Sequence, residues 1–225
     1  MNKLVLYDID GTLITAGGAG TRSLNRAFFN LFGISEAFST ISMAGKTDPQ
    51  IMREGLKLHG IDHLDGNVDR MIEKYLLYLT EEINNPMRQI MPGIRESLDL
   101  FRSHNMTIGL LTGNLEKGAE IKLGPFGIFD YFTSGAFGSD HEDRDELLPI
   151  AIEKYKKQGL KFSPGDCYVI GDTPRDVQCA KIHDAHCIAV ATGPYSVEDL
   201  RNTEADIVFE SLADVNACYS FIVNN

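Results

Sequence analysis

No stretch of the 225-residue chain approaches the roughly 18 to 20 consecutive apolar residues that a membrane-spanning helix needs. The opening MNKLVLYDID puts acidic residues where a signal peptide would need its apolar stretch, so a cytoplasmic location is expected. Basic residues are scarce, with 21 Lys and Arg against 32 Asp and Glu for a net charge of −11. That balance repels nucleic-acid backbones and anionic lipid, so neither nucleic acid nor membrane is an expected partner. Cysteine is sparse too: Cys167, Cys179, Cys187 and Cys218 all fall in the C-terminal third without CxxC spacing. A disulfide framework and a zinc ribbon are thereby disfavoured, and the four read as reduced, mostly buried thiols. No internal repeat at solenoid spacing is present. What remains is ordinary: 43% hydrophobic and 24% charged residues describe a folded soluble chain, one α/β unit with an insertion or two small units.

The first apolar run, KLVLYDI at 3–9, has Leu4, Val5 and Leu6 contiguous, as in a parallel strand covered on both faces. After DGT and the Gly-rich ITAGGAG, helical patterns follow one another without a strand: TRSLNRAFFNLFG ending at Gly33, then Thr47 to His59, then Asp69 to Ile83. NNPMRQIMPG at 84–93 reads as a connection, and β/α alternation then resumes. Helix 94–104 leads to a strand at 106–112, helix 115–123, a short strand near 130–133 and helix 145–158. Strand 167–171, helix 174–183, strand 187–191, an edge strand near 206–209 and helix 211–222 complete the pattern. The pattern predicts an α/β fold with a mostly parallel sheet from residues 1–14 and 89–225, interrupted by an α-helical cap at 15–88. The two tethers, ITAGGAG and NNPMRQIMPG, are suited to hinging.

Chemistry concentrates at strand ends. Asp8 and Asp10, followed by Gly11 and Thr12, fall at the carboxyl end of the first strand, where open parallel sheets bind ligands. Two carboxylates one residue apart can supply a nucleophile and an acid/base to one site. Gly171-Asp172-Thr173-Pro174-Arg175-Asp176 repeats the arrangement after CYVI, with Asp172 and Asp176 four apart. Taken alone, each motif also suits an acidic turn or a helix cap. Together they gather carboxylates at one sheet edge, whose repulsion a hard cation such as Mg²⁺ would relieve. Thr112 ends the strand GLLTGN, and Arg144 lies in GSDHEDRDE; a hydroxyl, backbone N–H groups and a guanidinium fork can hold phosphoryl oxygens.

The order of these motifs, Asp8-Ile9-Asp10-Gly11-Thr12, then Leu110-Leu111-Thr112-Gly113-Asn114, then Arg144, then Gly171 to Asp176, resembles the haloacid dehalogenase (HAD) superfamily. The helical insertion after the first motif is similar to that superfamily's C1 cap on a Rossmann-like core. The phosphoglycolate phosphatase and β-phosphoglucomutase-like branch is the nearest in look. The resemblance implies Asp8 as the nucleophile that forms an aspartyl-phosphate and Asp10 as the acid and then the base. It implies Thr112 and Arg144 as holders of the phosphoryl group, with Gly113 and Asn114 beside them. It implies Mg²⁺ at Asp8, the Asp10 carbonyl and Asp172, with Asp176 supporting. The superfamily's usual Lys is replaced here by Arg144, and Lys154, Lys156 and Lys157 on the next helix compete for that role.

Other features are set aside or kept as secondary. Ala44-Gly45-Lys46-Thr47 has no preceding strand and no first glycine, so it is no P-loop. Lys46 and Asp48, at the opening of a cap helix, are candidates for reading the substrate. Cys179, His183, His186 and Cys187 read as packing rather than zinc ligands, as do His59 and His63. The expected activity is an Mg²⁺-dependent phosphatase for a small phosphorylated metabolite, working as a monomer or homodimer. A sugar-phosphate mutase is the near alternative, with a phospho-Asp switch module and a dehalogenase behind it.

Overall fold

The computed structural model describes residues 3–225; residues 1 and 2 of the expected core segment lie outside the described residues. A six-stranded sheet runs in the order β5-β4-β1-β6-β7-β8. Its strands are β1 (Leu4–Tyr7), β4 (Thr107–Thr112), β5 (Gly135–Phe137), β6 (Cys167–Gly171), β7 (His186–Val190) and β8 (Ile207–Phe209). Every pairing within it is parallel. All four residues of β1 are buried, which explains why its apolar run is continuous rather than alternating. Leu4 and Leu6 face one layer, packed with α6 (Leu147–Lys157) and α7 (Pro174–Lys181). Val5 and Tyr7 face the other, packed with α4 (Ile94–Ser103) and α9 (Val215–Asn224). β1 thus sits at the middle of the sheet with both faces covered, and its C-terminal end is held fixed where Asp8 follows.

The helical insertion comprises α1 (Ala19–Phe32), α2 (Asp48–Leu58) and α3 (Asp65–Glu82). These helices share a cluster of their own, including Leu24, Phe28, Met52, Leu56, Met71, Tyr75 and Leu79. α1 ends where Gly33 turns left-handed at φ 72°, as the sequence indicates. Thr47 caps α2, its hydroxyl accepting from the Gln50 N–H, with Pro49 in the first turn.

The structure departs from the sequence reading at several places, and α3 already begins at Asp65 rather than Asp69. The two tethers of the insertion pair with each other as a short antiparallel ribbon, β2 (Ile14–Thr15) with β3 (Gln89–Ile90); strands of two residues carry no periodic signal. The strand expected near 130–133 is a 3-10 turn at Phe129–Tyr131, and the strand comes later, at β5. The β-forming aromatics Phe129, Tyr131 and Phe132 pack onto the core instead, and the strand opens at Gly135, where an added Cβ would lie 2.6 Å from the Leu110 carbonyl oxygen and only glycine fits. A short helix, α8 (Val197–Arg201), follows Ser196, whose capping box with Asp199 was present in the sequence but unread. α9 begins at Val215 rather than 211, because the Asp214 side chain accepts from the Ala217 N–H.

The remaining element is α5 (Glu116–Leu123), which follows β4. Among the described residues no helix is long and apolar enough to cross a membrane.

Gly93, which precedes α4, has φ 78°, and a Cβ there would lie 1.9 Å from the Leu212 carbonyl oxygen. Gly93→Ala is therefore expected to lower the unfolding free energy by at least about 2 kcal/mol, measured by urea denaturation.

Candidate active site

β1, β4 and β6 lie side by side, so the loops after them converge on one edge. Asp8 leaves β1 with its N–H donating to the Ile170 carbonyl at 2.9 Å, which holds the backbone of the nucleophile candidate against β6. Gly11 turns the chain at φ 86°, and only its missing Cβ leaves room for the Asp172 carboxylate, 2.3 Å from where a side chain would begin. Thr12 then donates from its hydroxyl to Asp172 Oδ1 at 3.0 Å. The two acidic motifs found in sequence are thereby locked together.

Asp8, Asp172 and Asp176 are all buried, and one carboxylate oxygen from each lies within 4.8 Å of the others. Burial raises Asp8 to about 6 against the opposing pull of Arg144. Burial and then the charges of Asp176 and Asp8 raise Asp172 well above the carboxylate range. Arg144, 3% exposed, offsets part of this: Nη2 pairs with Asp176 and lies 3.3 Å from Asp8 Oδ1, while Nη1 reaches the Gly45 carbonyl at 3.4 Å. Burial alone would lower the guanidinium's pKa, but Asp176 and Asp8 carry it above its ordinary value. Its buried Nε has no hydrogen-bond partner, so one donor beside the carboxylates is left over. Of the competing lysines, Lys154 pairs with Asp140 and Lys156 with Glu153, and neither lines the cavity beside Asp8.

Asp176 has both oxygens engaged, Oδ1 by Arg144 and Oδ2 by the Thr173 N–H at 3.0 Å and hydroxyl at 2.8 Å. It is at once a member of the cluster and the capping residue of α7.

Thr112 is fully buried at the end of β4, with its hydroxyl beside Asp8 and accepting from the Asn114 Nδ2 at 2.9 Å. Asn114 Nδ2 also donates to Asp10 Oδ2 at 2.9 Å. Gly113 has no space for a side chain, since a Cβ would lie 2.2 Å from the Lys46 carbonyl; its own carbonyl accepts from the Asp48 N–H at 2.8 Å. The Lys46 side chain pairs with Glu54 within the insertion. The insertion is fastened to the sheet's edge by three more contacts: Thr47 Oγ1 to the Glu142 carbonyl at 2.7 Å, Arg53 to the Glu142 carboxylate at 2.7 Å, and the Leu115 N–H to Asp48 Oδ2 at 3.0 Å.

One residue of the site was not singled out from the sequence. Lys122 of α5 is 4% exposed and donates to Asp10 Oδ2 and to Asn114 Oδ1, both at 2.6 Å. Its signal was available: Gly118, Ala119, Lys122 and Leu123 share one helical face, and a lysine among small and apolar residues is a buried cation in need of partners. Asp48, buried next to it, is raised to about 6 by burial, against the opposing charge of Lys122.

These groups enclose a cavity of about 320 Å³ between sheet edge and insertion, reaching from Asp8, Asp172 and Arg144 to Lys46, Tyr75 and Lys122. The histidine and cysteine candidates are taken up in packing: His183 bonds the Asp145 carbonyl at 2.7 Å, His186 stacks on Tyr168 at 4.6 Å, and the buried Cys179 thiol donates to the Arg144 carbonyl at 3.2 Å, behind the site.

The parallel sheet, with clustered carboxylates and a buried arginine at the edge that the helical insertion covers, has counterparts among known proteins. The family model of haloacid dehalogenase-like hydrolases matches residues 5–190, and the chain belongs to that family. Among curated relatives, a phosphoglycolate phosphatase of Pseudomonas putida is 23% identical over 193 residues, covering 85% of this chain and 70% of that protein. A phosphoglycolate phosphatase of Nitrosospira multiformis is 24% identical over 218 residues, covering 93% and 92%. The structure of CbbY from Rhodobacter sphaeroides in complex with phosphate superposes with a TM-score of 0.75 at 16% identity, covering 96% of each chain. A Bacteroides vulgatus protein provisionally named a beta-phosphoglucomutase gives 0.71 at 24% identity, covering 99% of this chain and 89% of that one. The resemblance read from the motifs, the α/β fold and the assignment to a hydrolase class are thus shown.

Arg144→Ala would leave Asp8 and Asp176 buried without their cation. The expected cost is about 3–5 kcal/mol of stability, read from chemical denaturation in the absence of divalent cations.

Proposed function

We propose that the protein is an Mg²⁺-dependent phosphatase that hydrolyses a small phosphorylated metabolite through an aspartyl-phosphate on Asp8. The observation that carries this reading is the placing of Asp8 on the wall of the cavity beside one buried guanidinium and two further carboxylates, Asp172 and Asp176. Phosphoryl transfer needs positioned charge more than it needs covalent machinery, and this arrangement supplies it.

Asp8 attacks phosphorus, and the bond to the leaving oxygen breaks. Asp10 gives its proton to that oxygen, then takes one from the water that attacks the phosphoryl group, so that inorganic phosphate leaves and the Asp8 carboxylate is regenerated. Arg144, whose Nε–H has no protein partner, and Thr112 hold the phosphoryl oxygens. The backbone N–H groups around Gly113 and Asn114 serve the same end.

The donor set fits a hard divalent cation: Asp8 and Asp172 are buried, mutually repelling carboxylates raised by burial. Asp8, the Asp10 carbonyl and Asp172 would hold Mg²⁺, with Asp176 behind them carrying Arg144. When bound, the cation neutralises phosphoryl charge and allows one anion to approach another. Residues 15–88 act as the cap, excluding water and reading the leaving group, with Lys46 and Asp48 on the wall that faces it.

The first test is phosphate release from a panel of sugar phosphates, phosphoglycolate, nucleotides and an aryl phosphate. Release with Mg²⁺ and its loss in chelator are expected; isomerised sugar phosphate without phosphate release would put a mutase in its place. Asp8→Asn should abolish turnover, by at least about 10⁴-fold in kcat, while thermal unfolding still shows a folded protein.

Metal binding has a signature of its own in stability. A raised carboxylate favours its protonated form in the fold, so Asp8's contribution is full below 3.8 and is lost as pH rises through about 6. Mg²⁺ replaces that proton. Its increment in melting temperature is expected to be larger at about pH 7 than at about pH 5, as calorimetry with and without chelator will show.

A further inference from the structure

Lys122 stands between the two parts of the molecule. Below it, in the sheet edge, its ammonium donates to Asp10 Oδ2 and Asn114 Oδ1, both at 2.6 Å. Asn114 Nδ2 donates to the same Asp10 oxygen at 2.9 Å, so Oδ2 receives two donors while no described group donates to Oδ1. Above it lies the insertion. Asp48 Oδ2 sits 3.8 Å from where a Cβ on Gly118 would stand, one turn before Lys122 on the same face of α5. A Cβ on Gly20, in the first turn of α1, would lie 3.7 Å from Lys122 Nζ and 3.9 Å from the Tyr75 hydroxyl. Tyr75 in turn hydrogen-bonds Asp48.

The ammonium is a compact charge with three donors, and its burial is tolerable only while carboxylates surround it. One of those carboxylates, Asp10, belongs to the core and is 44% exposed toward the cavity; the other, Asp48, arrives with the insertion. Were the insertion to leave the sheet edge, Lys122 would lose Asp48, Tyr75 and the cover of α1 together.

We propose that Lys122 is a positioning residue that ties the placement of Asp10 to closure of the helical insertion. By occupying Oδ2 together with Asn114, it leaves Oδ1 as the oxygen presented to the leaving group, and Asp48 on the insertion's side completes its surroundings only in the closed form. The inference rests on the phosphatase reading above. It concerns how Asp10 is aimed and leaves the attack by Asp8 as stated there.

Aiming an acid matters most when the leaving group is a poor one. The test compares two esters: the alkyl monoester released fastest in the panel above, and 4-nitrophenyl phosphate, whose phenolate leaves with little help. Steady-state kinetics are measured for the wild type, Lys122→Gln and Asp48→Asn. For Lys122→Gln, kcat on the alkyl ester should fall about 10²-fold and on the aryl ester within about threefold, with KM for both changing less than kcat. Asp48→Asn should show the same selectivity at about tenfold. Losses that are equal on both esters would mark Lys122 as a structural plug and overturn the proposal. If Lys122→Gln does not fold, the ratio from Asp48→Asn decides in the same way, an unchanged ratio overturning it. A folded wild type that releases phosphate from neither ester would instead overturn the phosphatase reading itself.

Discussion

Three carboxylates forced into a space of 4.8 Å at a buried sheet edge are the constraint around which the molecule is organised. Such a cluster is unfavourable in isolation, since desolvation and mutual repulsion both oppose ionisation. The fold counters it with one guanidinium, Arg144, shared between Asp8 and Asp176, and with hydroxyls from Thr12, Thr112 and Thr173. The glycines at 11 and 193 serve the same cluster, since a Cβ at either would collide with the Asp172 carboxylate. What makes the edge costly for folding is also what the proposed activity draws on, as is usual where activity and stability compete.

The second charge centre is of the opposite kind. Lys122 is a buried cation held by carboxylates from the sheet edge and the insertion, whereas both carboxylates that hold Arg144 belong to the core and the insertion gives it only the Gly45 carbonyl. Lysines on the two sides of the cavity differ in reach: Lys46, a candidate of the sequence reading, pairs with Glu54 inside the insertion, whereas Lys122 bridges to the sheet edge. Burial on its own would lower Lys122, yet Asp10 and Asp48 carry it above its ordinary value, so the ammonium stays charged.

Much of this was legible in the sequence because it rests on local order. The apolar run of β1, the acidic pairs at strand ends, and the helical block between first and second core strands each have a short-range signature. Thr47 as a cap and Gly33 as a helix end followed from residue chemistry alone. The aromatic run at 129–132 misled, because β propensity is a statement about packing and these side chains pack without joining the sheet. Lys122 went unread because its partners Asp10 and Asp48 are 112 and 74 positions away, and only the closed arrangement of the two parts brings them together. The ribbon formed by the tethers was invisible for the same reason: two residues pair with two others across the entire insertion.

That ribbon has a mechanical consequence. Because β2 and β3 are hydrogen-bonded to each other, the insertion is carried on a doubled stalk, and neither strand can twist without turning its neighbour. The stalk's foot is close to the chemistry: the Met91 N–H bonds the Leu13 carbonyl at 3.0 Å, and the Gly11 N–H bonds the Ile14 carbonyl at 2.8 Å. Through these two bonds the ribbon that carries the insertion is continuous with the loop that bears Asp10.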